Sequence, residues 1–255
     1  MRTSKITIPS SKGNLAAAIH YPDEKTDRLA ILCVGYLDSK DYAHMVDLAE
    51  RLVQRGYTAV RFDPTGTWES EGDIADYTIT QYLEDMKNVL EHMLGQGKYS
   101  HILLGGHSRG ATVSLLYAAK DPRISTVVAI MPSSPHVTED GSREEWKEKG
   151  IRQSWRDIPG SGEKREFRVP YSYEQDRTQY RILEEMKKIH IPVLFLAGEL
   201  DTLVVPARAR EIFDVANEPK KFLLMKGIGH DYRHSKDEVM QVNNLILKAL
   251  NEKDA

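Results

Sequence analysis

Three residues in the order serine, acid, histidine have the chemistry for nucleophilic catalysis. Ser108 stands in Gly106-His107-Ser108-Arg109-Gly110, where a short apolar run gives way to a helix-like pattern. A strand-to-helix turn at this point is sharp, and the two glycines leave it free of Cβ atoms. Such a turn pushes Ser108 Oγ out at the carboxyl edge of a sheet, where ligands gather in open α/β folds. Asp201 follows the apolar run 193–197 in Gly198-Glu199-Leu200-Asp201, and His230 follows the run 221–225 in Gly227-Ile228-Gly229-His230. All three side chains would then project from one edge of one parallel sheet. In that arrangement His230 takes the Ser108 proton and later returns it to the leaving group, while Asp201 holds the imidazole tautomer and stabilises its cation. An oxyanion needs two preset N–H donors. One is the backbone of Arg109, just after the nucleophile, and the other is the backbone of Tyr36, in the turn Val34-Gly35-Tyr36-Leu37 after an apolar strand.

Nearby rivals are weaker on local grounds. Glu199, two residues before Asp201, is the nearby rival acid, and Asp201 is favoured over it. His234 falls near the start of the last helix, and the remaining histidines, His107 included, read as structural or exposed. The chemistry needs only the Arg109 amide, so its guanidinium is expected exposed or salt-bridged. No H-x-x-H, H-E-x-x-H or cysteine cluster is present, so neither a metal nor a cofactor is expected.

The elements that must position these residues follow from periodicity. Alternation at Ile6 and Ile8, then at Leu15, Ala17 and Ile19, predicts an antiparallel hairpin around 11–14. Buried strands are expected at 29–36, 58–63, 101–106, 126–131, 193–197 and 221–225. Helices with apolar residues three and four apart are expected from about 41, across 83–93, from 108, at 206–216 and from 235. The alternation predicts an α/β fold: a mostly parallel sheet with helices on both faces, preceded by the hairpin. One stretch breaks the rhythm, because residues 134–189 exceed what a connection needs. They read as an inserted cap, with a capping-box helix from Ser142 carrying Trp146 and a hairpin pairing the segment around Ile151 and Trp155 with Phe167, Val169, Tyr171 and Tyr173. The core is then 1–133 and 190–255. Trp68, Trp146, Trp155, Phe167, Tyr171 and Tyr173 could pack the cap onto the core or line a pocket.

With 255 residues, 35 Lys+Arg and 38 Asp+Glu, the net charge is −3, which gives no electrostatic reason for nucleic acid or an anionic membrane as partner. Residues 141–181 hold ten Lys/Arg against eight Asp/Glu, a bias too small to name a substrate. No apolar run approaches a bilayer span, and the single cysteine, Cys33, lies in a buried-strand pattern. The expectation is a cytoplasmic protein in a reducing compartment, acting on a small molecule, with oligomeric state open.

The residues quoted above give the chain a resemblance to the α/β-hydrolases, and within them to the serine-hydrolase group of cinnamoyl and feruloyl esterases and monoacylglycerol lipases. Val34-Gly35-Tyr36 occupies the place of that group's His-Gly-Phe-like oxyanion turn. Arg61-Phe62-Asp63, Gly66 and Ser70-Glu71-Gly72 resemble its Arg-Phe-Asp to Ser-Glu-Gly stretch. Val34 replaces the usual His, and Thr65-Gly66-Thr67-Trp68 stands where Arg-Gly-x-Gly is typical. The resemblance implies a cofactor-free serine esterase acting on short or medium acyl or aryl esters through an acyl-enzyme. Thioester, lactone or amide hydrolysis and acyl transfer use the same residues, and a hydrolase-like ligand receptor is the alternative of a different class.

Overall fold

A computed structural model describes residues 1–133 and 142–254. The hairpin is formed by β1 (Arg2–Ser10) and β2 (Gly13–Tyr21), paired antiparallel with Ile8 opposite Leu15. There follow β3 (Arg28–Cys33), α1 (Ala43–Val53), β4 (Tyr57–Phe62), α2 (Ile79–Gln96), β5 (His101–His107), α3 (Arg109–Ala118) and β6 (Thr126–Ile130). After the inserted region come β9 (Val193–Gly198), α7 (Pro206–Val215), β10 (Lys220–Met225) and α8 (Lys236–Asp254). Eight strands form one sheet in the order β1-β2-β4-β3-β5-β6-β9-β10, parallel from β4 onward and antiparallel at β1 and β2.

The strand order places the site. From β3 the chain crosses to β4 on one side and then returns past β3 to β5 on the other. Right-handed crossovers in opposite directions put their helices on opposite faces. Accordingly α1 packs with α8, and α2 packs with α3. Between β3 and β5, paired in register from Arg28–His101 to Cys33–Gly106, the two outgoing loops diverge and leave a crevice at the carboxyl edge. Buried on both faces, these strands read as continuous apolar runs, Leu29 to Cys33 and Ile102 to Leu104.

β3 ends at Cys33, short of the expected Tyr36. The Val34 carbonyl accepts the Tyr82 hydroxyl at 3.0 Å in place of a strand partner, and this frees the backbone that follows. Cys33 is buried, and burial pushes its thiol up to about 12.

The inserted region holds α4 (Ser142–Lys149), a separate antiparallel pair of β7 (Ile151–Asp157) and β8 (Lys164–Pro170), then α5 (Ser172–Arg177) and α6 (Ile182–Glu185). Tyr171 and Tyr173 do not extend the strand, because Pro170 closes it and the chain turns into α5. A second apolar cluster, Leu37, Tyr77, Trp146, Phe167, Val169 and Tyr173, joins this region to the loops after β3 and β4, with Trp68 packed against it. Trp155 is instead 54% exposed. Residues 134–141, the first of the expected cap, lie outside the described residues.

Candidate active site

Each site residue is placed by a local device. At Ser108 the backbone holds φ 53° and ψ −114°, a region that costs a non-glycine residue about 1–3 kcal/mol. Around that turn α3 sits almost on the sheet. A Cβ on Gly106 would lie 2.3 Å from the Gly110 carbonyl carbon, and one on Gly110 would lie 2.1 Å from the Cys33 oxygen. The glycines are thus required by close approach.

Asp201 turns back after β9, and its Oδ1 accepts the amides of Leu203 at 2.9 Å and Val204 at 2.7 Å. Its Oδ2 lies 2.7 Å from His230 Nδ1, and His230 Nε2 lies 3.0 Å from Ser108 Oγ. Ser108, His230 and Asp201, spread over more than 120 positions of sequence, are therefore brought into one hydrogen-bonded chain. The rivals go elsewhere. Glu199 Oε2 accepts the Gly227 amide at 2.9 Å, and His234 is mostly exposed, 3.7 Å from Asp157.

Beside Ser108, the Leu37 amide donates to the Tyr77 hydroxyl and the Ser108 amide to the Ile130 carbonyl. The amides of Tyr36 and Arg109 have no acceptor among the described residues. The loop bearing Tyr36 is tied down from below. Arg61 donates to the Lys40 carbonyl and to Asp41, and Asp63 accepts the Lys40 amide at 2.7 Å and its ammonium at 3.1 Å. Ser70 Oγ donates to the Asp63 carbonyl, and Glu71 takes the Asn14 amide. Burial raises the Asp63 carboxyl to about 6 against the pull of Lys40. The Arg-Phe-Asp and Ser-Glu-Gly stretches thus act as scaffold for the crevice.

Two arrangements could not be read from sequence spacing. Asp38, His44 and His107 are buried with their ligand atoms within 4.8 Å of one another. Burial lowers both imidazoles, while burial of Asp38 is outweighed by His107 and Arg233, which hold its carboxyl well below the usual range. Such a trio could ligate a cation, but Arg156 and Arg233 lie 3.8 and 3.9 Å from Asp38 Oδ1 and already neutralise it. The His107 ring also lies 4.8 Å from the His230 ring, so it backs the site.

The second arrangement is the cavity itself, about 470 Å³, opening on Ser108 and His230. Trp146 and Tyr173 line it, while Trp68 and Phe167 pack behind it. Arg109 corrects the sequence expectation. Its guanidinium is half-buried and meets no carboxylate among the described residues: it lies against Tyr173, with Nε and Nη1 buried. The short α3 N-terminus directs this side chain under the inserted region, a contact between segments 64 positions apart.

No helix among the described residues is long and apolar enough to cross a membrane. The chain resembles solved structures over nearly its whole length. Ferulic-acid-bound Est1E from Butyrivibrio proteoclasticus matches with a TM-score of 0.78 at 20% identity, covering 97% of this chain and 98% of that one. The Pyrococcus furiosus esterase Pf2001 matches with a TM-score of 0.73 at 18% identity, covering 98% and 91%. These likenesses establish the α/β-hydrolase fold. Among curated proteins, the mitochondrial palmitoyl-protein thioesterase ABHD10 of Mus musculus is 22% identical over 206 residues, 80% of this chain and 68% of that protein. The family model described as serine aminopeptidase, S33, matches residues 24–154, and the chain therefore belongs to this family of α/β-hydrolases.

Proposed function

We propose that the protein is a serine hydrolase that cleaves carboxylic esters through an acyl-enzyme intermediate. The observation that carries this reading is the hydrogen-bonded chain from Ser108 Oγ through His230 to Asp201, at 3.0 and 2.7 Å, on the strained turn at the mouth of the cavity. His230 Nε2 removes the Ser108 proton as Oγ attacks the ester carbonyl. Asp201 holds Nδ1–H in place and stabilises the imidazolium. The tetrahedral oxyanion is met by the Arg109 and Tyr36 amides, reinforced by the N-terminus of α3. His230 then protonates the leaving alcohol, and water repeats the cycle on the acyl-enzyme. No cofactor enters these steps.

The inserted region, residues 134–189, serves as the cap over the acyl or alcohol group. The arginine-bearing cavity favours short or medium acyl groups over a long apolar chain, because burying methylenes against guanidinium groups strips water from charge without compensation. The single buried Cys33 suits a reducing compartment such as the cytoplasm.

The test is hydrolysis of a chain-length series of p-nitrophenyl esters by the wild type and by Ser108→Ala, with folding of both checked by circular dichroism. Turnover should collapse in the variant and peak at short or medium chains. Undiminished turnover by Ser108→Ala would overturn the reading, and tight ligand binding without turnover in the wild type would point to a receptor instead.

A further inference from the structure

Arginine dominates the wall of the cavity. Among the described residues, seven arginines line it against three carboxylates, in a chain whose net charge is negative. Five of the seven are already engaged. Arg177 makes paired bonds to Glu174, which also faces Arg143 at 3.3 Å; Arg208 meets Glu211 at 3.0 Å; Arg233 meets Asp231 and Asp38; and Arg156 donates to the Tyr36 carbonyl. Arg109 and Arg152 have no carboxylate partner among the described residues.

Around Arg109 several groups that can donate hydrogen bonds converge, with no carboxylate among the described residues beside its guanidinium. Among the described residues its Nε and Nη1 meet no acceptor of good hydrogen-bond geometry; the Tyr173 hydroxyl lies beside this guanidinium and the Tyr36 hydroxyl beside Ser154. The Tyr36 and Tyr173 rings meet edge-on at 5.1 Å, and the Arg109 guanidinium carbon lies 5.9 Å from the Tyr173 ring centre. Burial raises both phenols, so their hydroxyls remain protonated at neutral pH. Arg152 stands over Trp146 at 5.3 Å on the same wall. A buried guanidinium without a carboxylate is costly, and a guanidinium fork flanked by two hydroxyls matches an oxyanion such as a carboxylate.

We infer that this cluster is a subsite for an anionic group of the substrate, so that the ester cleaved at Ser108 carries a carboxylate or comparable oxyanion on its acyl or alcohol part. The inference rests on the ester-hydrolase reading and deepens it. Arg109 thereby has two separate roles: its amide faces the reacting oxygen, and its side chain binds the remote charge. The Tyr36 and Tyr173 hydroxyls complete the pocket from the loop after β3 and from the inserted region.

Two matched pairs of substrates test it. The p-nitrophenyl hemiester of adipic acid and p-nitrophenyl hexanoate share a six-carbon acyl chain and differ at its end. Similarly, 4-acetoxybenzoate and phenyl acetate differ in charge on the alcohol side. In one pair the wild type should prefer the anion in kcat/KM by about tenfold or more, the range of a charge-assisted contact. Arg109→Gln should reduce that preference about tenfold, mainly through KM for the anionic member, and Arg109→Lys should recover part of it. Tyr173→Phe, which keeps the ring, should reduce the preference severalfold and serves if Arg109→Gln does not fold. A wild-type preference at or below unity in both pairs would overturn the subsite while leaving the esterase reading intact. If no ester is turned over, calorimetry of adipate with Ser108→Ala decides. Binding that Tyr173→Phe weakens supports the subsite, and no binding up to about 10 mM overturns it.

Discussion

Asp201→Asn isolates the orienting role of one carboxylate with almost no change in volume. Asp201 Oδ1 accepts two backbone amides, at 2.9 and 2.7 Å, and Oδ2 accepts from His230 Nδ1 at 2.7 Å. An asparagine must keep its carbonyl oxygen toward the two amides, because turning its NH2 there would set donor against donor twice. Its NH2 therefore faces His230 Nδ1, which must become an acceptor. The imidazole proton moves to Nε2, 3.0 Å from Ser108 Oγ, and the lone pair that should take the serine proton is gone. Loss of the correct tautomer costs about 10⁴-fold in turnover in a Ser-His-Asp hydrolase, roughly 5 kcal/mol of barrier. Stability should change by less than about 1 kcal/mol, since every buried polar group keeps a partner. The assay is kcat/KM for p-nitrophenyl acetate alongside thermal unfolding, with Glu199→Gln as the comparison variant, expected to stay within about threefold of wild type. A folded Asp201→Asn protein retaining more than a tenth of wild-type kcat/KM would refute the tautomer argument.

Gly110→Ala should lower unfolding stability by about 3 kcal/mol in urea titrations, because its Cβ would lie 2.1 Å from the Cys33 oxygen and must drive α3 off β3. Turnover should fall with it, since Ser108 begins that helix. Lys40→Met should cost about 3–5 kcal/mol, as it leaves the buried Asp63 carboxylate without its cation; adding Asp63→Asn should recover part of the loss. His20 accepts from Arg61 Nε at 3.0 Å, and burial together with Arg61 lowers it from 6.5 to about 4. The unfolded chain therefore binds the extra proton between these values. Its contribution is intact above pH 6.5 and is lost as pH falls towards 4, by about 1–2 kcal/mol after allowing for solvent screening. His20→Gln should flatten that part of the stability profile in denaturant titrations across pH 4–7.

Much of this was local enough to be written in the sequence. Buried strands such as Leu29 to Cys33 are apolar runs, α1 carries Met45, Leu48, Leu52 and Val53 on one stripe, and the turns after β5, β9 and β10 each carry one residue of the proposed triad. Their order along the chain singled out Ser108, Asp201 and His230 as candidates, because a parallel sheet sends every such turn to the same edge, and the fold brings the three within hydrogen-bonding distance. Element ends were less legible. β3 stops at Cys33 because Tyr82, 48 positions away, captures the Val34 carbonyl, and β8 stops at Pro170 although the alternation continues to Tyr173.

Only the tertiary structure decided what surrounds the proposed triad. A sequence counts every charge equally, so its total is −3 and the bias of residues 141–181 is slight. Folding sorts those charges by the direction each side chain faces. It draws arginines from α3, the inserted region, α7 and the turn after β10 into one cavity, while most carboxylates stay in water. Likewise Asp38, His44 and His107 carry no common spacing and meet only because β3 and β5 are neighbours. The chemistry proposed for Ser108, Asp201 and His230 follows from their type and order. Their surroundings depend on contacts between distant segments, which only the closure of the sheet and the seating of the inserted region bring within reach.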